Sequence, residues 1–349
     1  MKHIYQFATN PVCSPYRLDM PRKILNNSGD FKITCFSDIT QKEFDEIVQN
    51  ADIVVIQRAP LNQEFKPLLD GLIQAGKFTV YEIDDDLMHL NPESRYAKQA
   101  PVDYGQSIEA FISSCHAVQC STLQLAERIR PLNSEVAVIT NQLEHIEDFI
   151  DKRGQEGPVI IGYAAGLDHY QDWYTIQDEY NRAIAELEAE GVRVETWIVG
   201  DHDIFNSITS TNKRFFPLLS RNKYMDFLKK LNISLCILGN SFFNLAKSDV
   251  KYLESSASSS AVIASNTVYG TTIIHEKTGL LFETPQEFGQ QLKKLAKDQN
   301  IANKLATNAY NYVKNERLVS QHINAWADLY NGWCARKNEI MANHYRHAK

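Results

Sequence analysis

The sequence predicts an α/β protein built from two units of parallel sheet in tandem. Three observations predict it. Strand-like and helix-like segments alternate strictly over the first 140 residues, a polar stretch interrupts the pattern at 142–157, and a second alternating series runs on to 264. Strict alternation means that each strand reaches the next through a crossover, which parallel neighbours need and antiparallel ones do not.

Taken in order, short β-branched or aromatic runs mark strands at 3–7, 31–36, 52–56, 78–83, 117–120 and 136–139. Apolar residues at helical spacing mark helices between them at 17–26, 41–50, 63–75, 107–114 and 122–129. The run EHIEDFIDKRGQEG, closed by Gly157 and Pro158, reads as a linker or as a helix leading into one. Beyond it come strand 159–163, helix 170–190, strands 194–199 and 214–216, helix 223–230, strand 233–238, helix 248–256 and strand 261–264. The final 60 or so residues are helical, with an apolar stripe through Leu292, Leu295, Leu305, Ala309 and Val313. Ile323, Trp326 and Tyr330 form a further packing face near the end. The resulting units are 1–145, a linker at 146–157, 158–316, and a C-terminal helix and tail at 317–349.

Composition narrows the function classes. With 44% hydrophobic and 23% charged residues the chain is neither disordered nor coiled coil nor collagenous. Lys and Arg total 36 against 43 Asp and Glu, a net charge of −7, which argues against a nucleic-acid binder while leaving room for a local cationic cleft. Six cysteines are scattered with no CxxC pair, the pattern of reduced thiols in a cytoplasmic protein rather than of a disulfide framework or zinc site. The N-terminal apolar run is too short for a signal-peptide core, and no run approaches the roughly 18 apolar residues of a membrane span. The expectation is a soluble, cytoplasmic protein. The basic end around Met341 and Tyr345 reads either as a frayed tail or as a peripheral contact with an anionic membrane face. No strand is followed by GxGxxG and no GxxxxGK[ST] occurs, which disfavours a nicotinamide dehydrogenase and an ATPase.

Two facing parallel sheets bind ligands at the carboxyl ends of their strands, so the post-strand segments hold the candidate site. The richest is FFNLAKSDVKYLESSASSSAVIAS at 242–265, where Lys247, Lys251 and Glu254 share one helical face. A helix N-terminus with Asn244, Lys247 and Ser248 nearby suits a phosphate, and Glu254, further along, suits the hydroxyls of a ribose. The same spacing also fits a solvated charged face with a serine cap. Glu82 in the fourth strand and Asp84, Asp85 and Asp86 after it read as metal ligands, as caps of the next helix or partners of Arg17 and Arg58, or as binders of an acceptor hydroxyl. Gly162, Gly166, Asp168, His169 and Asp172 lie in or after the first strand of the second unit. Gly162 and Gly166 let backbone approach a ligand there, and His169 is either a donor to a phosphate or a structural histidine. Arg17, Arg22, Lys23 and Arg58 are a phosphate or acceptor patch, or a solvated face.

The pattern FN-x-x-KS-x-x-K-x-x-E followed by AVIAS resembles the donor-sugar site of glycosyltransferases with the two-Rossmann GT-B fold, especially the family 4-like group of bacterial polysaccharide enzymes. Six further segments resemble that group in order: SPYRLDMPRKIL (14–25), DIVVIQRA (52–59), VYEIDDDL (80–87), VQCSTLQLAERI (118–129), IIGYAAGLDHYQDW (160–173) and TWIVGD (196–201), with KTGLLF (277–282) after the donor site. The usual Gly-Gly of the first loop is replaced by Ser14 and Pro15. The usual first glutamate of a pair, eight residues before Glu254, is replaced by Ala246.

The resemblance implies two Rossmann-like domains facing across a cleft, the first on the acceptor side and the second binding the nucleotide-sugar, with the C-terminal helices crossing back to the first. It implies transfer of a hexose from a nucleotide-sugar to a hydroxyl of a glycan or lipid-linked glycan, in bacterial capsule or O-antigen synthesis. No metal or other cofactor is required, because helix dipole and Lys or Arg neutralise the diphosphate. Donor binding falls to Gly166, Asn244, Lys247, Ser248, Lys251 and Glu254, acceptor binding to Arg17 and Arg58, and catalysis to Asp84 or Asp85 with His169. An epimerase or hydrolase on the same fold, and a non-catalytic scaffold subunit, are the alternatives; the missing first glutamate favours the last.

Overall fold

Strands buried on both faces are made of largely apolar runs, and the central β3 (Ile53–Gln57), β4 (Phe78–Ile83) and β5 (Ala117–Cys120) are buried throughout, while β1 (Lys2–Phe7) is buried over its last four residues and the edge strands β2 (Phe31–Phe36) and β6 (Val136–Val138) are partly exposed. They form a parallel sheet in the order β2-β1-β3-β4-β5-β6. A second parallel sheet has the order β12-β11-β10-β7-β8-β9, from β7 (Val159–Ala164), β8 (Val194–Val199), β9 (Lys213–Phe216), β10 (Ile233–Cys236), β11 (Ala261–Ser265) and β12 (Leu280–Phe282). These elements come from a computed structural model that describes residues 1–9, 12–166 and 169–347. The expected architecture of two parallel α/β units is therefore present.

The local differences have physical causes. The single helix expected at 170–190 is broken into Tyr170–Tyr174 and Gln177–Ala189, where Thr175 turns its hydroxyl onto the Asp172 carbonyl at 2.6 Å. Residues 142–157 carry no helix. They run extended, and Leu143 pairs with Leu318 through Leu143 N to Arg317 O (3.0 Å) and Val319 N to Leu143 O (2.8 Å). Strand β12 has only three residues, too few for a periodicity to register.

Further helices cover the sheets, and their starts are written in the sequence. Thr284 accepts from the Glu287 amide ahead of Pro285–Lys297, with Pro285 in the first turn. Asp298 accepts from the Asn300 and Ile301 amides ahead of Gln299–Glu316. The last helix, Val319–His347, returns to the first domain. Its Trp326, Tyr330, Trp333 and Ile340 are buried in one cluster with Ile4, Leu18, Phe31, Ile53 and Val80. Their spacing of four, three and seven residues keeps them on one face.

Both sheets change winding direction beside their first strand. In one, β1 lies between β2 and β3; in the other, β7 lies between β10 and β8. A ligand crevice forms at the carboxyl side of such switch points, and here the two crevices face each other. No helix among the described residues is long and apolar enough to cross a membrane, and all six cysteines are free thiols.

Candidate functional site

A cavity of about 210 Å³ lies between the domains, lined from the first by Cys13, Tyr16, Arg58, Asp84, Asp85 and Asn141, and from the second by His169, Leu238, Lys247, Ser248, Lys251 and Tyr269. Every one of these follows a strand of its sheet within a few residues or sits at the start of the next helix. Two other cavities, of about 230 Å³ at the linker and about 610 Å³ at the amino ends of β8 and β9, are lined by linker backbone and surface ion pairs.

The first-domain wall is organised by two arginines. Arg58 follows β3 with a left-handed φ of 50°, a conformation that costs a non-glycine residue free energy and is held only where surroundings enforce it. The enforcing contacts are its amide on Glu82 O at 2.9 Å, Nε on Asp84 Oδ1 at 2.5 Å and Nη2 on Asp85 Oδ2 at 2.6 Å. Asp85 also lies 3.5 Å from Lys247 Nζ of the other domain. Burial would push the Asp85 carboxyl up, but Lys247 and Arg58 together hold it down at about 2.

Arg17, expected among the acceptor-binding residues, is fully buried behind this wall. Its Nε donates to Glu82 Oε1 at 2.7 Å and its Nη1 to Asn141 Oδ1 at 3.1 Å, and the guanidinium stacks on Trp326 at 5.4 Å. Glu82 accepts in addition from Gln57 at 2.7 Å, and Asn141 Nδ2 donates to Ser248 Oγ at 2.9 Å. Arg17 thus belongs to a buried polar chain that ends on the opposite domain, and no face of it is open to a ligand. Arg22 pairs with Asp19 and Lys23 with Glu144, each at 2.8 Å.

The acidic run at the end of β4 does not gather into one cation site, because its carboxylates are divided among three arginines. Glu82 faces Arg17, Asp84 and Asp85 face Arg58, and Asp86 accepts from Arg128 at 2.5 Å and from His89 at 3.0 Å. Among the described residues no cluster of His, Cys, Asp or Glu is arranged as metal ligands.

On the second-domain wall the helix Val250–Ala257 points its amino end into the cavity, and the 247/251/254 face turns inward, so the reading as a solvated surface does not hold. Lys251 Nζ donates to Ala164 O at 3.1 Å and to His169 Nε2 at 3.0 Å. Among the described residues no carboxylate pairs with it. Burial, then the neighbouring Lys247, lower its pKa to about 8. His169 Nδ1 faces Asp172 Oδ2 at 2.8 Å, so Nδ1 carries the proton and Nε2 accepts from the ammonium. Burial and the Lys251 charge hold this imidazole near 4. It is neutral at pH 7 and presents no proton to the cavity, which corrects the expectation of a histidine donating to a phosphate.

Asn244, expected to touch the donor, instead gives its amide to Asp172 Oδ1 at 2.7 Å and Gly239 O at 3.0 Å. It anchors the loop after β10 to the turn after β7. Gly162 is required for packing, since an added Cβ would stand 2.3 Å from Leu231 Cδ1, whereas one on Gly166 would meet nothing within 4 Å. Asp168 lies outside the described residues. Ala246 is fully buried in the first domain's core and its carbonyl accepts from Thr122 Oγ1 at 2.8 Å; position 246 packs against the facing domain and does not line the cavity.

Glu254 is buried, 5% exposed, and burial raises its pKa. Tyr16 of the first domain donates its hydroxyl to Glu254 Oε1, and Arg221 bonds that hydroxyl and pairs with Oε1 at 3.8 Å. Tyr16 and Arg221 escape a reading of the sequence because neither falls in a helical or strand repeat with its partners. The one signal for Tyr16 is its place just after Ser14-Pro15, in the first post-strand loop.

No protein-family model matches the chain, and no curated protein matches it. Solved structures do. Sucrose-phosphate synthase from Thermosynechococcus elongatus superposes with a TM-score of 0.66 at 12% identity, over 96% of this chain and 100% of that one. A glycosyltransferase from Rickettsia africae gives 0.63 at 12% identity, over 95% and 98%. HepE from Anabaena, solved with UDP and glucose, gives 0.61 at 12% identity, over 95% and 100%. The fold of this chain is the GT-B fold.

Proposed function

We propose that the protein is a glycosyltransferase that moves a hexose from a nucleoside-diphosphate sugar to a hydroxyl of a glycan. The observation that carries this reading is the pairing across one cavity of two lysines at a helix start, Lys247 and Lys251, with the Arg58-Asp84-Asp85 cluster. A buried ammonium with no carboxylate partner among the described residues is poised for an anion. A diphosphate reaching Lys251 and the amides at the start of the 250–257 helix supplies two negative charges there. The reading assigns neutralisation of that diphosphate to Lys247, Lys251 and the helix, without a metal or other cofactor.

Lys247 is the hinge of the chemistry. It lies beside Asp85; with a diphosphate bound it turns to the phosphate oxygens. Asp85 then keeps only Arg58, and its basicity rises toward the range needed to accept a proton from an acceptor hydroxyl. Asp84, held by Arg58 at 2.5 Å, orients that hydroxyl. As the sugar departs, charge grows on the leaving diphosphate, where the two ammoniums stabilise it. His169 holds Lys251 in place and exchanges no proton. Glu254 binds the ribose hydroxyls.

The UDP and UDP-glucose complexes of HepE support a UDP-hexose as the first donor to test. Assembly of a surface polysaccharide such as capsule or O-antigen, on a lipid-linked glycan at the membrane face, is the setting that the family resemblance suggests. The test is release of nucleoside diphosphate from UDP-glucose, UDP-GlcNAc and GDP-mannose, with and without glycan acceptors. Acceptor-dependent release confirms the reading, and turnover of donor alone replaces it with an epimerase or hydrolase. Absence of nucleotide binding, with Glu254→Ala silent in a glycan assay, replaces it with a scaffold.

A further inference from the structure

Among the described residues, Tyr16 is the first-domain side chain that reaches the carboxylate assigned to the ribose, and it meets Arg221 there. The turn Pro15–Asp19 is π-helical, a geometry that recurs at functional sites, and it extends Tyr16 out of its own domain to pack against the second domain's cluster around Tyr252 and Leu253. The Tyr16 hydroxyl donates to Glu254 Oε1, and the Arg221 guanidinium bonds the same hydroxyl while lying 4.4 Å from the ring centroid. Glu254 is three residues beyond Lys251, about 4.5 Å of helix rise, the order in which a phosphate and its ribose would sit.

We propose that Tyr16 and Arg221 are nucleotide-site residues, one from each domain, and that the Tyr16 hydroxyl holds the Glu254 oxygen that a ribose hydroxyl takes. The inference rests on the donor reading above. A carboxylate oxygen in a buried pocket accepts few donors, so phenol and ribose compete for it. The apparent affinity for a nucleotide is then reduced by the fraction of molecules in which Tyr16 has released Glu254. Arg221 stays with the carboxylate and keeps it ionised for the incoming hydroxyls.

Tyr16→Phe keeps the ring and removes only the competing hydroxyl. Isothermal titration of wild type, Tyr16→Phe, Glu254→Gln and the double variant with UDP, GDP and dTDP, and with inorganic pyrophosphate as a ligand lacking ribose, tests the proposal. The expected result is nucleotide binding about tenfold tighter in Tyr16→Phe than in wild type, no difference between Glu254→Gln and the double variant, and an unchanged pyrophosphate affinity. A Tyr16→Phe protein that binds the nucleotide no tighter than wild type overturns the proposal and leaves the donor reading standing. Equal tightening for pyrophosphate also overturns it, since the hydroxyl would then act on domain opening and not on ribose. Failure of every form to bind any of the three nucleotides overturns the donor reading and the proposal with it.

Discussion

Replacing Lys251 by Met should make the protein more stable and less able to bind a nucleotide. The ordinary lysine value of 10.5 falls to about 8 in the fold, and each tenfold change in proton affinity is worth about 1.4 kcal/mol, so the charged form is disfavoured by roughly 3 to 4 kcal/mol before screening. Water in the cavity screens part of this, and the variant loses bonds to Ala164 O and His169 Nε2, worth about 1 kcal/mol together once the imidazole turns to water. The net expectation is a gain of about 1 to 2 kcal/mol near pH 7, with the melting temperature rising by a few degrees. The sign follows from the direction of the shift. The folded value lies below the unfolded one, so the penalty is complete below about pH 8 and fades as pH climbs toward 10.5. Scanning calorimetry of both proteins at pH 7 and pH 10 therefore shows an advantage for the variant that shrinks with pH. Lys152, which burial lowers to about 7, titrates in both proteins and cancels in the difference. Affinity for a nucleoside diphosphate should fall about 10- to 100-fold, the worth of a charge-assisted bond. A Lys251→Met protein that melts below wild type at pH 7 would refute the idea of a cation held in readiness for an anion.

Three other perturbations test separate parts of the reasoning. Asp85→Asn should slow transfer by about 10²- to 10⁴-fold in kcat while donor KM stays level or drops, because Lys247 loses its competitor; an unchanged kcat removes Asp85 from the chemistry. Gly200→Ala should cost about 3 kcal/mol or more in urea unfolding, since Gly200 has φ 91° and an added Cβ would stand 2.1 Å from Ala165 O. Trp326→Ala should cost about 3 to 5 kcal/mol, because the side chain is 1% exposed in the core shared by the last helix and the first sheet; a loss below 1 kcal/mol would show that helix to be dispensable to the fold.

The strands were legible because a parallel strand buried on both faces writes its whole length in apolar residues: IVVIQ at Ile53–Gln57 and AVIAS at Ala261–Ser265 need no context to be recognised. The site was legible only as positions after strands. Spacing placed Lys247, Lys251 and Glu254 on one face, but it could not say whether that face meets solvent or the other domain. Arg17 and Asn244 have the right chemistry in the right loops, and both are committed to buried partners, Glu82 and Asp172, that lie 65 and 72 residues away in sequence. Such pairings depend on register between distant strands, which no local pattern encodes. Tyr16 shows the converse: its partners Glu254 and Arg221, 238 and 205 residues distant, belong to the facing domain.

The chain passes between the domains twice, outward near residues 141–143 and back at 317–319, and the two crossings lie side by side through the Leu143 and Leu318 pairing. Arg317, on the returning segment, grips Asp249 at 2.7 and 2.9 Å and the Asn141 carbonyl at 3.0 Å. A door hung on two adjacent pins swings about the line through them and resists twisting. Because one of these pins is bonded to Asp249, immediately ahead of the 250–257 helix, any swing carries Lys247, Lys251 and Glu254 as a unit toward or away from Arg58 and Asp85. Cutting the chain after residue 316 would remove one pin and leave a swivel, on which the two halves of the cavity could no longer meet in a fixed orientation.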